Sequence, residues 1–344
     1  MLNKFFKSAN PFAVSPAWAF VSYVILGIWT VIVLFPFYWL AVTAFKMPND
    51  VNSGPKYIPF VDFQPSTHAF EELMFSPTSG NFVTRPYTNT ILVAVPSALL
   101  ALGLGAMAAY ALIRFEYKPK PGLIAAFAGC VLLAILLTNQ GLEWQYAVAA
   151  AIGVFIIIAQ TIGKRFKGTM NNNDIFFWFV SQRMLPPVAV IIPIYIIFQR
   201  LGLLNTHLAL IITYTAMNIP MVVWFLRDYF NGIPLEIEES AFIDGASRYQ
   251  VLWQIVLPLA VPGLIATFLI VLVFAWNEYT IGLFLSGADT QTMPPFVSAQ
   301  NATRGPQWWN ISVLVIFMVA PLFVLSIVLE RFIARGLLVG AVKG

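Results

Sequence analysis

The chain is 344 residues long, 59% hydrophobic and only 10% charged, with thirty phenylalanines and a formal net charge of +4. So little charge cannot cover a water-soluble globule of this size, which excludes that class and leaves a polytopic membrane protein in the lipid bilayer. A surplus of four positive charges is what Lys and Arg at cytoplasmic span ends supply, so nucleic-acid binding is set aside.

Eight apolar segments are long enough to cross about 30 Å of hydrocarbon at about 1.5 Å per residue. They run 19–45, 89–113, 122–139, 143–163, 175–199, 208–226, 263–285 and 309–330. The first follows Lys4 and Lys7, as a secretion signal would. Its apolar run far exceeds the roughly 7–15 residues of a signal core, so it reads as an uncleaved anchor. Residues 46–88 are rich in turn formers and carry a short amphipathic piece, THAFEELMF, that offers Phe70 and Met74 to the membrane or to a partner. Cys130, the single cysteine, can form no internal disulfide and reads as a small buried or lipid-facing residue.

The fourth segment ends in AQTIGKRF, where Gly163 and Lys164 resemble the end of a phosphate-binding loop. Ile158 stands where that loop needs its first glycine and Arg165 where it needs Ser or Thr for magnesium, so the pair is a helix end with basic flanks. Neither HExxH nor GxSxG occurs, and His68 and His207 are isolated, too few for zinc. No catalytic or metal-binding residue is therefore assigned. Whatever drives this protein must be a separate polypeptide or an ion gradient.

Two ionisable residues fall inside apolar segments, where they are costly. Arg183, in SQRMLPP, lies roughly 12 Å from the cytoplasmic end of its segment, and Glu278, in FAWNEYTIG, roughly 22 Å into its own. They pair only if a helix tilts or kinks. Arg183 admits two readings, a snorkelling or capping residue near Pro186 and Pro187 or a functional group; Glu278 is a pathway or gate residue or a structural one. The alternative to an externally driven transporter, an ion-coupled one, would use Glu278. The inverted repeat with matching broken helices that such transporters often show is not visible.

Charge alternation sets the orientation, because Lys and Arg favour the cytoplasmic ends of spans. Lys4, Lys7, Arg114, Lys118, Lys120, Lys164, Arg165, Lys167, Arg227, Arg248, Arg331, Arg335 and Lys343 fall on one side, and Lys46, Lys56, Arg85, Arg200 and Arg304 on the other. Both termini are thus expected in the cytoplasm. The outer side then holds 46–88 and a second loop, 286–308, which reads either as functional or as a linker. Trp308 and Trp309 at its end suit an interfacial anchor.

One cytoplasmic stretch, EESAFIDGASRYQVLWQIVLPLAVPG (238–263), interrupts the apolar chain with polar, acidic, helix-forming sequence. Ser240, Ala241, Gly245, Ala246 and Ser247 are small and permit close approach, Gly245 supplies a turn between two short helices, and Pro258 with Pro262 ends the element. Ala241, Tyr249, Val251, Leu252 and Ile255 offer apolar contacts. An interfacial lipid-binding helix favours basic residues on its polar face, whereas this one carries Glu236, Glu238, Glu239 and Asp244, so a protein partner is expected.

This stretch resembles the EAA loop of ATP-binding-cassette importer permeases, whose pattern is Glu-Ala-Ala, a glycine four residues after the second alanine, then Ile-x-Leu-Pro. Glu239, Ser240, Ala241, Gly245, Ile255, Leu257 and Pro258 fill those places, with serine for the first alanine. The run from RMLPPVAVIIPIYIIF to FLRDYF, then FAWNEYTIGLFL, TQTMPPFVSAQ and the terminal RGLLVGAVKG are similar to carbohydrate permeases of the maltose-importer group, and most to its smaller, second permease subunit.

The resemblance implies an all-α polytopic membrane protein of the bacterial inner membrane with a six-helix type I permease core. It implies a second permease subunit, two ATP-binding subunits that hold the ATP and magnesium, and an extracytoplasmic solute-binding protein delivering a sugar or polyol. Residues 1–18 would be the cytoplasmic N-terminus, 19–116 the first two spans with the outer loop, 174–333 the core spans with the coupling loop 236–258, and 334–344 a cytoplasmic tail. Segment 117–173 departs from the family pattern as an inserted two-helix hairpin, making eight spans. It is either a peripheral element on the lipid face or a dock for another membrane subunit.

By the same resemblance Glu239, Ser240, Ala241, Asp244, Gly245, Ala246, Ile255, Leu257 and Pro258 couple to the ATPase, and Gly340 and Lys343 in the tail also reach it. Thr290, Gln291, Thr292, Met293 and Pro294 probe the binding protein. Asn218, Trp276, Asn277, Glu278 and Tyr279 offer hydrogen bonds and an aromatic face along the solute pathway, or serve helix packing.

Overall fold

The computed structural model describes residues 15–75, 80–300 and 305–341. Among these residues the regular structure is helical apart from one bridge, Pro59 to Phe63. Helix α1 (Pro16–Ala44) starts where Ser15 accepts the Trp18 N–H at 3.5 Å and Pro16 occupies a first-turn position that needs no N–H. It presents Trp18, Ile25, Trp29 and Ile32 outward, as a lipid-facing helix must. Short helices α2 (Pro48–Asn52) and α3 (His68–Met74) lead to α4 (Gly80–Arg114).

Helices α5 (Pro121–Asn139) and α6 (Trp144–Thr161) form a hairpin over a turn in which Gly141 has φ +94°, and Phe127 meets Phe155 edge to face at 5.5 Å. The two ends of the 117–173 segment are fastened at one place. Asn172 Nδ2 donates to the carbonyls of Leu112 and Phe115 at 2.6 and 2.5 Å, its Oδ1 accepts from Tyr117 N–H at 2.8 Å, and Met170 N–H donates to Pro119 O at 2.8 Å.

Helix α7 (Asn172–Gln182) opens on a reciprocal capping box between Asn171 and Asp174. It stops before Pro186 and Pro187, and α8 (Pro187–Arg200) sets off at 87° to it. The span expected over 175–199 is thus two helices that part at Pro186 and Pro187, because Pro187 has no N–H to continue the ladder and Pro186 is held extended. Helix α9 (His207–Asn231) precedes α10 (Leu235–Ile243), α11 (Arg248–Leu259) and α12 (Val261–Trp276), with a 78° bend between the last two. The apolar run expected to reach 285 breaks at 277–279 before α13 (Thr280–Leu285). Helices α14 (Met293–Ala299) and α15 (Trp308–Ala341) complete the described chain.

Among the described residues five helices are long and apolar enough to cross a membrane alone: α1, α4 from Val83, α5, α9, and α15 to Val328. Two bent pairs, α7 with α8 and α11 with α12, pass the same length and composition test only together, and α6 is apolar but shorter. The eight continuous spans expected from the sequence thus resolve into a mixture of straight and broken elements.

The chain divides into two compact units. The first comprises residues up to Leu92, Asn205–His207 and Leu285–Leu325. Its core holds Ala44, Leu73, Met293, Phe296, Val313 and Leu314. Phe70, expected to face outward, packs on this core and lies 5.2 Å from the Phe45 ring, whereas Met74 is exposed. Lys46 is buried with its ammonium 4.0 Å from the Trp39 ring; burial pushes its pKa down, and Asp50 and Asp62 oppose that push.

The second unit comprises Val93–Leu204, Leu208–Phe284 and the residues from Ser326 on. Leu210, Tyr214, Val222, Leu226, Phe230 and Leu272 are fully or almost fully buried in it. Helices α4 and α9 cross so closely that a Cβ at Gly105 would lie 2.6 Å from Val222. Small residues are how helices without a hydrophobic driving force between them gain contact. Gly105→Leu should therefore destabilise the purified chain by about 1–3 kcal/mol, the usual cost of overpacking. The check is the thermal unfolding midpoint in detergent, with Gly103→Leu, whose added Cβ would meet nothing within 4 Å, expected to leave it unchanged.

Candidate functional site

The polar interruption folds as two short helices around Gly245. α10 ends in a Schellman motif: Ala246 N–H donates to Ala241 O at 2.9 Å and Gly245 N–H to Phe242 O at 3.1 Å, with Gly245 at φ +86°. The small pair Ala241 and Ala246 thus serves this closure. Ser247 and Gln250 then form a reciprocal capping box that starts α11. Its middle turn, Leu252–Val256, is π, next to Pro258, which cannot donate to the Gln254 carbonyl.

The segment has an inner and an outer face. Val251, Leu252 and Val256 are buried, Ile255 and Leu257 half-buried, and Glu239, Ser240, Asp244, Gly245 and Pro258 exposed. Beside the carboxylates stand Ile243, Tyr249 and Trp253, 86%, 77% and 60% exposed. Tyr249, expected among the apolar contacts, is thus turned fully outward. Exposed acidic and large apolar side chains within one short segment are the composition of a protein-binding patch.

Glu238, adjacent in sequence to the exposed Glu239, is 1% exposed. Its Oε1 accepts from Arg114 Nε at 2.7 Å and its Oε2 from Tyr110 Oη at 2.8 Å. Arg114 Nη2 also donates to the carbonyls of Ile233 and Phe230, at 3.1 and 3.4 Å, near the end of α9. One guanidinium therefore ties the ends of α4 and α9 to the inner face of α10. Arg248 adds a stacking contact, 4.7 Å from the Phe115 ring. The sequence shows Glu238 only as one more acidic residue, since its partners lie 124 and 128 positions away.

A second feature sits at the α7–α8 break, a cavity of about 800 Å³ lined by Trp178, Gln182, Arg183, Thr213, Met217 and Glu278 among others. Arg183 Nη1 donates to Met217 O at 3.3 Å and the guanidinium lies 4.8 Å from the Phe274 ring. Glu278 Oε1 accepts the Ile281 N–H at 3.0 Å, capping α13, and its carbonyl accepts from Tyr214 Oη at 3.2 Å. The kink that the two charges needed is present, yet they face one cavity without closing to an ion pair.

Of the five expected pathway residues, Glu278 alone lines this cavity. Asn218 and Trp276 are buried, and Asn218 donates to Tyr214 O at 2.8 Å while its Oδ1 lacks a protein partner. Asn277, which donates to Val273 O at 2.8 Å, and Tyr279 are exposed. Arg183, Gln182 and Thr213 are the other polar lining residues, beside Trp178 and a largely aliphatic wall that includes Leu185, Val190, Ile194 and Ile212; the SQR run before two prolines was the available signal.

The stretch 290–294 is anchored more firmly than a free loop. Thr290, Thr292 and Met293 are buried, and Gln291 and Pro294 half-buried. Asn89 Nδ2 donates to the carbonyls of Asp289 and Gln291, both at 3.0 Å, and Met293 N–H donates to Thr90 Oγ1 at 2.8 Å. His207, expected to be isolated, meets Asn89 Oδ1 at 2.8 Å. Gly340 lies in α15, and Lys343 falls outside the described residues. Among the described residues no group of three His, Cys, Asp or Glu could hold a metal ion.

Several apolar helices, two bent helix pairs, a cavity holding both Arg183 and Glu278 and an exposed acidic segment are the features of a multi-pass membrane protein. Residues 156–339 match the family described as binding-protein-dependent transport system inner membrane component, and the chain belongs to that family. It is 30% identical over 321 residues, 93% of this chain and 94% of the other, to the inner membrane ABC transporter permease protein YcjP of Escherichia coli. It is 26% identical to the trehalose/maltose transport system permease protein MalG of Thermococcus litoralis, over 91% of this chain and 93% of that one. It is 27% identical to the diacetylchitobiose uptake system permease protein DasC of Streptomyces coelicolor, over 95% and 97%. The family supports transport driven through partner subunits and gives no support to ion coupling through Glu278.

Glu238→Ala should leave Arg114 partly buried without its carboxylate and cost about 3 kcal/mol, the low end for breaking a buried pair. A double-mutant cycle with Arg114→Met, read by thermal unfolding in detergent, should return a coupling of at least about 1 kcal/mol. Additive effects would show that the two groups do not act together.

Proposed function

We propose that this chain is a permease subunit of an ATP-driven, binding-protein-dependent importer for a sugar or related polyol, with both termini in the cytoplasm. The observation that carries the reading is the two-sided segment 236–258, whose outer face offers Glu239, Asp244, Ile243 and Tyr249 while its inner face is fixed by Glu238 to the end of α4. Its partners are a second permease, two ATP-binding subunits that supply ATP and magnesium, and an extracytoplasmic solute-binding protein.

The outer face docks on an ATP-binding subunit, with Ser240 and Gly245 allowing close approach. Ala241, Ala246, Ile255, Leu257 and Pro258 keep the two short helices in shape. Closure of the ATPases then moves a rigid body, because the Glu238–Arg114 link passes force to α4 and α9 rather than letting α10 swing. Gly340 and Lys343 bring the tail to the same subunits. On the other side 290–294 holds the binding-protein contact in shape, and its exposed neighbour Asp289 together with Gln291 and Pro294 supply the reachable surface.

Solute crosses by alternating access past the cavity at the α7–α8 break, where Glu278, Arg183, Gln182 and Thr213 provide hydrogen bonds and Trp178 an aromatic face. Asn218, Trp276, Asn277 and Tyr279 belong to the wall behind that path. The hydroxyls of a polyhydroxylated solute suit these polar groups and its C–H faces the aliphatic remainder of the wall, and MalG and DasC, relatives named for trehalose/maltose and diacetylchitobiose, support the class. Segment 117–173 is a peripheral hairpin on the lipid face of this core.

Gly245→Asp and Glu239→Lys should each abolish uptake in cells while the chain stays in the membrane at normal level; the aspartate is strained at φ +86° and the lysine reverses a docking charge. Pull-down of the tagged chain should lose the ATP-binding subunits with either variant. Normal uptake by well-expressed variants would overturn the assignment. Glu278→Gln keeps the cap on α13, so it should retain at least about a tenth of the uptake under the importer reading, whereas a proton-coupled carrier would lose about a thousandfold or more.

A further inference from the structure

Helices α5, α6 and α8 enclose a groove of about 730 Å³ that the transport reading leaves unassigned. Small side chains, Cys130, Ala134 and Ala151, make room along its length, and Phe127 with Phe155, 5.5 Å apart, closes one end. The polar lining residues Thr138, Asn139 and Arg200 are not scattered along it. Asn139 and Arg200 are the last residues of α5 and α8, and Thr138 precedes Asn139, so the polar lining is confined to helix ends, whereas Phe127 lies near the start of α5.

The dimensions match one leaflet. Phe127 to Asn139 spans twelve residue steps of α5, roughly 18 Å, slightly more than half of a hydrocarbon core of about 30 Å. Arg200 is exposed and makes no hydrogen bond or ion pair with any described residue, and no carboxylate lines the groove. An unpaired guanidinium at the head of an apolar slot of leaflet depth calls for an anion with a hydrocarbon tail. An inserted peptide strand would leave its backbone N–H and C=O groups unsatisfied against these walls, a cost an acyl chain does not incur. A zwitterionic headgroup would bring an ammonium with no acidic side chain in the lining to receive it.

We propose that this groove binds one anionic phospholipid, its phosphate on Arg200 and Asn139 and one acyl chain running past Ala134 and Ala151 to the Phe127–Phe155 floor. The lipid fills the space between the hairpin and α8 and so fastens 117–173 to the permease. This site is independent of which solute the transporter carries.

The test uses the chain purified in its native assembly in mild detergent, stripped of lipid and re-equilibrated with equal amounts of phosphatidylglycerol and phosphatidylethanolamine, with bound lipid counted by native mass spectrometry. One phosphatidylglycerol per chain should be retained, with about fivefold selectivity, the effect of a single basic residue near an anionic lipid surface. Arg200→Gln should bring the selectivity to unity with one lipid still bound, because the acyl slot is intact. Ala134→Phe should displace both lipids. Equal retention of the two lipids by the unaltered chain, or selectivity unchanged in Arg200→Gln, would overturn the site, as would a photocrosslinker at position 134 that traps a polypeptide instead of lipid.

Discussion

The carboxylate of Glu238 is the fixed point of the helix ends that meet beside α10. A buried carboxylate is tolerated only when its charge is paired and its lone pairs are filled, and here Arg114 and Tyr110 do both. Because Arg114 also holds the carbonyls of Phe230 and Ile233 just before α10, the ends of α4 and α9 and the inner face of α10 converge on one guanidinium. The neighbouring Glu239 lies about 100° further round the helix and is free in solvent. Two adjacent glutamates thereby differ in surroundings: one anchors the segment, the other stands in solvent.

Proline places the departures from straight helices. Pro186 and Pro187 break α7 from α8 beside the cavity in which Arg183 and Glu278 stand, and Pro258 accompanies the π turn of α11. Non-helical backbone at membrane depth is tolerable only where it lines a cavity or is covered by protein. The guanidinium of Arg183, bonded to the Met217 carbonyl and stacked on Phe274, and the carboxylate of Glu278, capping α13, provide that cover.

Much of this was legible in the sequence. The apolar runs at 19–45, 89–113, 122–139 and 208–226 fall on α1, α4, α5 and α9, because unbroken apolar length is a sufficient signal for a long helix. The turn at Gly245 followed from its need for positive φ. The 87° bend did not, since hydropathy sums composition along a run and carries no direction. Nor did the pairing of Glu238 with Arg114, which depends on residues 124 positions apart. The polar stretch 290–294 reads as an exposed loop, yet Asn89 and Thr90 bond its backbone and draw Thr290, Thr292 and Met293 into the core; polarity marks a need for hydrogen bonds, not for water. The same lesson applies to Asn218, whose amide serves its own helix.

Asn172 has a consequence for how this chain can be altered. One carboxamide bonds Leu112, Phe115 and Tyr117, so the chain leaves the permease and returns to it within a single side chain's reach, with α5 and α6 strung between. The entropy of closing that gap grows only slowly with the length strung across it, by about 0.6 kcal/mol per doubling. The junction behaves as a socket: its geometry is indifferent to the size of what is plugged in, provided both ends emerge on the same side of the bilayer. A pair of helices satisfies that rule, a single helix does not, and a folded soluble domain with neighbouring termini does.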